Sequence, residues 1–126
     1  MIDHLGIRVR DYEQSKAFYL AALQPLGIGL IMEFGPEVTH HGWTCGLGSG
    51  GKPYFWIAVG ETGQMHLAFS AETRAEVDAF YQAALDAGAT DNGPPGPRPI
   101  YHPGYYGAFV IDPNGINLEA VCHAPG

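Results

Sequence analysis

Three residues of this chain have the chemistry to hold a metal ion, although they lie far apart: His4, His66 and Glu119. Two imidazoles and one carboxylate are the donors of a facial triad. That set suits divalent iron, manganese, nickel, cobalt or zinc and leaves coordination positions open. Open positions let an ion take two substrate oxygens and act on them as a Lewis acid. Taken singly, each histidine is better explained as a hydrogen-bonded sheet residue and the glutamate as a solvated edge residue. The case for a site therefore rests on what the chain does to bring the three together.

The element that must position them is a repeat. Asp3–Leu23, DHLGIRVRDYEQSKAFYLAAL, lies over Met65–Leu85, MHLAFSAETRAEVDAFYQAAL, at a shift of 62 without a gap. His4-Leu5 falls on His66-Leu67, and Ala17-Phe18-Tyr19 on Ala79-Phe80-Tyr81. An internal repeat has to be recognised first because it decides the fold class. Here it predicts two copies of one strand-then-helix opening, each led by a histidine. In the strand Ile2–Val9, Leu5, Ile7 and Val9 share one face, and His4, Gly6 and Arg8 share the other. In Met65–Ser70, Met65, Leu67 and Phe69 oppose His66, Ala68 and Ser70. Asp11 with Gln14, and Thr73 with Glu76, have the spacing of helix-starting capping boxes, while Gly27 and Gly88 stop the helices.

Further strands are expected at Gly29–Phe34, Trp43–Leu47 and Tyr54–Val59, and later at Tyr105–Ile111 and Ile116–Cys122. Asp112-Pro113-Asn114-Gly115 makes the last hairpin turn. Between Asp91 and Gly104 stand Pro94, Pro95, Pro97, Pro99 and Pro103, which should nearly exclude ladder pairing and leave a long loop. Strands joined by hairpins, with one helix per copy, give an α+β fold whose helices cover one face of largely antiparallel sheet. In the last strand Leu118, Ala120 and Cys122 take the helix side. Glu119 then points the same way as His4 and His66.

Other residues could serve such a hollow. Trp56 could wall a substrate pocket or simply pack. His102, in the proline-rich segment, titrates near working pH and could carry protons. Tyr105 and Tyr106 alternate, so one of them can face the cavity, and Tyr106 is the choice. Glu33 lies on a bordering strand and could act as a base. His40, His41 and His123 are expected at the surface.

With 126 residues, 46% apolar and 15% charged, the chain reads as one globular domain spanning 1–126. A net charge of −7 with six basic residues argues against nucleic acid and anionic membranes as partners. Its apolar runs are too short to span a bilayer, and its first residues do not resemble a signal peptide. Cys45 and Cys122 form no CxxC motif and read as small buried residues in a reduced, cytoplasmic setting.

The paired openings His4-Leu5 and His66-Leu67, the Phe18-Tyr19 pair, and the tail Asp112-Pro113-Asn114-Gly115-Ile116-Asn117-Leu118-Glu119 resemble the vicinal oxygen chelate superfamily. It includes glyoxalase I, extradiol dioxygenases, fosfomycin-resistance transferases and bleomycin-resistance proteins. The resemblance covers nearly the whole chain. It implies two tandem βαβββ modules, about 1–60 and 65–123, forming an eight-stranded U-shaped half-barrel with helices outside. It also implies that His4, His66 and Glu119 bind one divalent metal ion, which chelates vicinal oxygens of a small-molecule substrate. Glyoxalase I adds a fourth ligand on the fourth strand, where Tyr54–Val59 offers no donor. The transferases carry threonine where Gly6 stands here. By the same resemblance Arg8 and Arg98 are the basic candidates for holding substrate. His102, Tyr105 and Tyr106 are candidates for a second layer beside the metal. The expected activity is that of a lyase, dioxygenase or transferase, working as a homodimer. The alternative is a metal-free drug- or metabolite-binding protein of the bleomycin-resistance type. Whether one chain or two complete the triad stays open.

Overall fold

The structure is a computed structural model that describes residues 2–123. Two copies of one βαβββ plan follow each other along the chain. The first runs β1 (Leu5–Val9), α1 (Tyr12–Leu23), β2 (Gly29–Phe34), a short α2 (Pro36–Thr39), β3 (Thr44–Ser49) and β4 (Lys52–Val59). The second runs β5 (His66–Ser70), α3 (Arg74–Asp86), β6 (Thr90–Pro97), β7 (Tyr106–Ile111) and β8 (Asn117–Cys122). Each copy makes one four-stranded mixed sheet, in the orders β1-β4-β3-β2 and β5-β8-β7-β6. The fold is thus α+β, built from two βαβββ modules, and the sheets do not close. Each leading strand lies at a sheet edge, parallel to the last strand of its own module.

Local chemistry explains the helices. Asp11 accepts the backbone N–H of Gln14 at 3.1 Å, satisfying an otherwise orphaned donor of α1. Thr73 does the same for Glu76, whose own carboxylate reaches back to the N–H of Glu72, each at 3.1 Å. After α1 a single 3₁₀ turn, Gln24–Leu26, ends at Gly27, whose φ of 78° is left-handed. Tyr12, Ser15, Phe18, Tyr19, Ala22 and Leu23 form the buried stripe of α1, and Val77, Phe80 and Ala84 that of α3.

Both helices pack on their own sheets and against each other. One continuous core results, joining Ile7, Val9 and Ile57 of the first sheet to Leu67, Val110 and Leu118 of the second. Phe55 sits at its centre, edge-on to Tyr19 at 5.1 Å and to Phe69 at 5.3 Å. A polar clamp also ties the modules. Asp112, 4% exposed, accepts the Tyr19 hydroxyl and the backbone N–H groups of Asn114 and Ile116, the latter two each at 2.8 Å. Asn114 donates to Ser15 Oγ of α1 at 3.0 Å.

The proline-rich segment departs from expectation. Residues 90–97 form β6, paired antiparallel to β7 with two register shifts. The reason is position: β6 is an edge strand, where a residue without an N–H can be tolerated. Only the stretch after Pro97 is a turn, held by Arg98 N–H to Tyr105 O at 2.8 Å and by Tyr105 N–H to His102 O at 3.1 Å.

Candidate functional site

Strand alternation sends the apolar side of each leading strand into the core. Ile7 and Val9 are buried in β1, and Leu67 in β5. The opposite faces, which carry the histidines, are turned from the helices and are open. On the second sheet the register sets Ala68 beside Glu119 and Glu119 beside Phe109. His66 Nε2 lies 2.9 Å from Glu119 Oε1, and its other ring nitrogen faces Asn117 O at 3.2 Å. The Tyr105 hydroxyl donates to the second carboxylate oxygen, Oε2. Burial and this carboxylate push the Tyr105 phenol up to about 12.

Glu119 is only 2% exposed although it faces away from the core. Glycine explains how it is covered. A side chain on Gly107 would meet the Tyr105 ring at 3.2 Å and Glu119 Oε2 at 3.4 Å. Its absence lets the Tyr105 ring lie over the carboxylate. Phe109 completes the wall, with His66 stacked at 6.3 Å on one side and the Arg98 guanidinium 5.6 Å from its ring.

His4 belongs to the other sheet, just before β1. Its side chain is 62% exposed and contacts Asp3 at 2.9 Å. His4 and His66 both open onto one cleft of about 1040 Å³, lined also by Lys52, Tyr54, Phe55 and Glu72. Among the described residues no three His, Cys, Asp or Glu side chains gather as a metal centre. Of the three donors singled out in the sequence, His66 and Glu119 touch, and His4 shares the cleft of His66 without joining them in a cluster of three.

The remaining candidates divide by face. Trp56 lies on the open face of the first sheet, beside Gly6 and Gly46 in register. It stacks with Phe34 at 6.5 Å and 9°. Met32 shares this face, and both Met32 and Phe34 are 37% exposed. Arg8 is exposed there, its aliphatic stem over Gly60. Glu33 is on the helix side instead. It accepts Tyr12 Oη at 2.6 Å and Lys16 Nζ at 2.8 Å, and chiefly the lysine holds its carboxyl below the usual range. Tyr106 also turns to the helix, donating to Asp78 at 2.7 Å under the Arg74 guanidinium. His102 stands one layer out from the carboxylate, bonded to His123 at 2.9 Å.

The sequence points to Tyr106 for the open face, whereas the structure puts Tyr105 on Glu119 and Tyr106 on Asp78, with Phe109 beside His66. The signal was the Asp112–Gly115 turn. It pairs Ile111 with Asn117, and counting back along the hairpin sets Phe109 opposite Glu119, with Gly107 and Tyr105 following on the same face.

A tandem pair of βαβββ modules, each forming one open mixed sheet, defines the class of fold. The chain matches the Glyoxalase/Bleomycin resistance protein/Dioxygenase superfamily over residues 1–120 and belongs to it. It is similar to a glyoxalase/bleomycin resistance protein from Albidiferax ferrireducens T118, with 28% identity over 95% of this chain and 96% of that one, and a TM-score of 0.77. At 18% identity it shares the fold of a variant of the genomically encoded fosfomycin resistance protein from Listeria monocytogenes. That structure holds Mn(II) and 1S,2S-dihydroxypropylphosphonic acid; the likeness covers 95% of this chain and 87% of that one, with a TM-score of 0.68. No protein of curated function matches. No described helix is long and apolar enough to cross a membrane.

Proposed function

We propose that the chain is a metal-dependent enzyme of this superfamily, with a divalent ion held by His66 and Glu119 of one chain and by His4 of a second copy. The observation that carries this reading is the pair itself. An imidazole nitrogen and a buried carboxylate oxygen stand 2.9 Å apart on neighbouring strands, at the open face of the sheet. A buried carboxylate is costly unless paired, and this donor pair fits a divalent ion of the iron, manganese, nickel, cobalt or zinc group. His4 is exposed on a separate sheet, so it is available to another molecule. The unpaired outer edges of β1 and β5 favour association of two copies.

When bound, the ion would supply Lewis-acid polarisation of adjacent oxygens on a small substrate. The chain's residues do the rest. Tyr105 keeps one carboxylate oxygen engaged, Phe109 flanks one face of the imidazole, and Trp56 with Phe34 receives the apolar or aromatic part of the substrate. Manganese, held by the Listeria fosfomycin resistance protein, is the first metal to try. Glu33 and Tyr106 take no part in this reading, because both face the helices.

One observation favours a second reading, a metal-free binder of a drug or metabolite. The Phe34–Trp56 pair is a flat, open stacking surface that a planar ligand could use without metal. Elemental analysis separates the two. Protein prepared without chelator or histidine tag should carry one divalent metal per chain, and His66→Ala and Glu119→Ala should both lose it. Equal metal in all three overturns the metalloenzyme.

A further inference from the structure

Tyr105 reaches Glu119 from outside the core, and the parts that hold it there have no other evident task. Its ring is enclosed by the edges of three others. Tyr101 lies at 4.9 Å and 61°, His102 at 5.4 Å and 74°, and His123 at 5.4 Å and 85°. The two imidazoles are joined to each other by the 2.9 Å bond between His102 Nε2 and His123 Nδ1. Their proton positions follow from a third contact. The Gly104 N–H donates to His102 Nδ1 at 3.2 Å, which makes that nitrogen an acceptor. In the neutral ring the proton then sits on Nε2, and His102 donates to His123. Close approach is possible because Gly104 lacks a side chain; a Cβ there would stand 2.8 Å from the His123 carbonyl oxygen.

We propose that His102 and His123 are positioning residues that clasp the turn before β7 onto the end of β8, and so hold the Tyr105 hydroxyl on Glu119 Oε2. Oε1 alone then remains turned to His66. The clasp deepens the metal-site reading in one respect. With Oε2 engaged, Glu119 offers a single oxygen to an ion, and more coordination positions stay open for substrate. Hydrogen bonds to a ligating carboxylate orient it and contribute to metal affinity. His102 thereby acts through Tyr105 and touches no reacting atom.

The test reads metal-free and Mn²⁺-titrated protein separately. In the metal-free parent, the Tyr105 hydroxyl proton, slowed in exchange by its carboxylate partner, should give a resolved downfield proton resonance that is absent in Tyr105→Phe. His123→Ala should lose that resonance, whereas His123→Asn should keep it, because the amide oxygen can replace Nδ1 as acceptor. Calorimetry with Mn²⁺ should show binding weakened about tenfold or more in His123→Ala and nearly unchanged in His123→Asn. Gly104→Ala, which pushes the clasp open without removing a polar group, should behave like His123→Ala and serves if that variant does not fold. Persistence of the hydroxyl resonance in His123→Ala or Gly104→Ala overturns the clasp, as does its absence in the parent. A parent that keeps the resonance but binds none of Mn²⁺, Fe²⁺, Co²⁺, Ni²⁺ and Zn²⁺ overturns the metal site while leaving the clasp standing.

Discussion

Breaking the contact between Tyr19 and Asp112 should loosen the two modules from each other. Tyr19, on α1, is fully buried, and Asp112, before the last hairpin turn, is 4% exposed. The carboxylate takes the Tyr19 hydroxyl, two backbone N–H groups and the Asn114 side-chain amide. A hydrogen bond to a charged group contributes about 1.5–3 kcal/mol, so Tyr19→Phe should cost that much. Asp112→Ala removes every acceptor at once and strands the buried hydroxyl and the Ile116 N–H, at roughly 1–3 kcal/mol for each stranded group. In the Asp112→Ala background the hydroxyl has already lost its partner. Tyr19→Phe should then recover part of that cost by removing the stranded hydroxyl, leaving a coupling energy of at least about 1.5–3 kcal/mol. Urea denaturation of the four proteins measures it, and for a domain of this size about 2 kcal/mol corresponds to roughly 8 °C in Tm. An equal cost of Tyr19→Phe in both backgrounds would refute the clamp.

Alkaline titration of tyrosine absorbance should find Tyr105 ionising near 12, and Glu119→Gln should bring it down towards the ordinary value of 10.0. No downward shift in that variant would dissociate Tyr105 from Glu119. Glu33 has its carboxyl held low by Lys16 and Tyr12. Its contribution to stability is therefore present above the unfolded carboxylate range and is lost as pH falls through the lower folded value. Lys16→Met should flatten that part of the acid limb, as read by denaturant midpoints between about pH 5 and pH 2; an unaltered limb would contradict it. A Cβ at Gly48 would stand 1.9 Å from the backbone oxygen of Lys52, which cannot swing aside. Gly48→Ala should cost about 1–3 kcal/mol or more by thermal unfolding, and a neutral result would show that the β3–β4 turn yields.

Most of the architecture was written in local signals. The repeat, the Asp11 and Thr73 caps and the Asp112–Gly115 turn are short-range features, and each element they imply is present. What local signals could not carry was position within the sheets. Prolines 94, 95 and 97 read as a loop because their own backbones lack donors, but an edge strand has one side on which no donor is required. Strand position and alternation do not decide which of Tyr105 and Tyr106 faces the open side or which side Glu33 takes; register puts Tyr105 on the carboxylate and Glu33 against Lys16. His4 shows the deepest gap. Alternation groups it with Gly6 and Arg8, but local pattern carries no information on how it would stand relative to the His66–Glu119 pair on the second sheet.

Metal content of mixed dimers tests the central claim most directly. If His4 of one copy completes the site of the other, His4→Ala and His66→Ala proteins should each bind no metal alone. Hybrids of the two contain one intact site, because the unmutated His4 and the unmutated His66 come from different chains. Unfolding and refolding an equimolar mixture should therefore restore about one site in four, counted by Mn²⁺ titration. No restoration, with both single variants folded and the parent fully loaded, would contradict a site shared between copies.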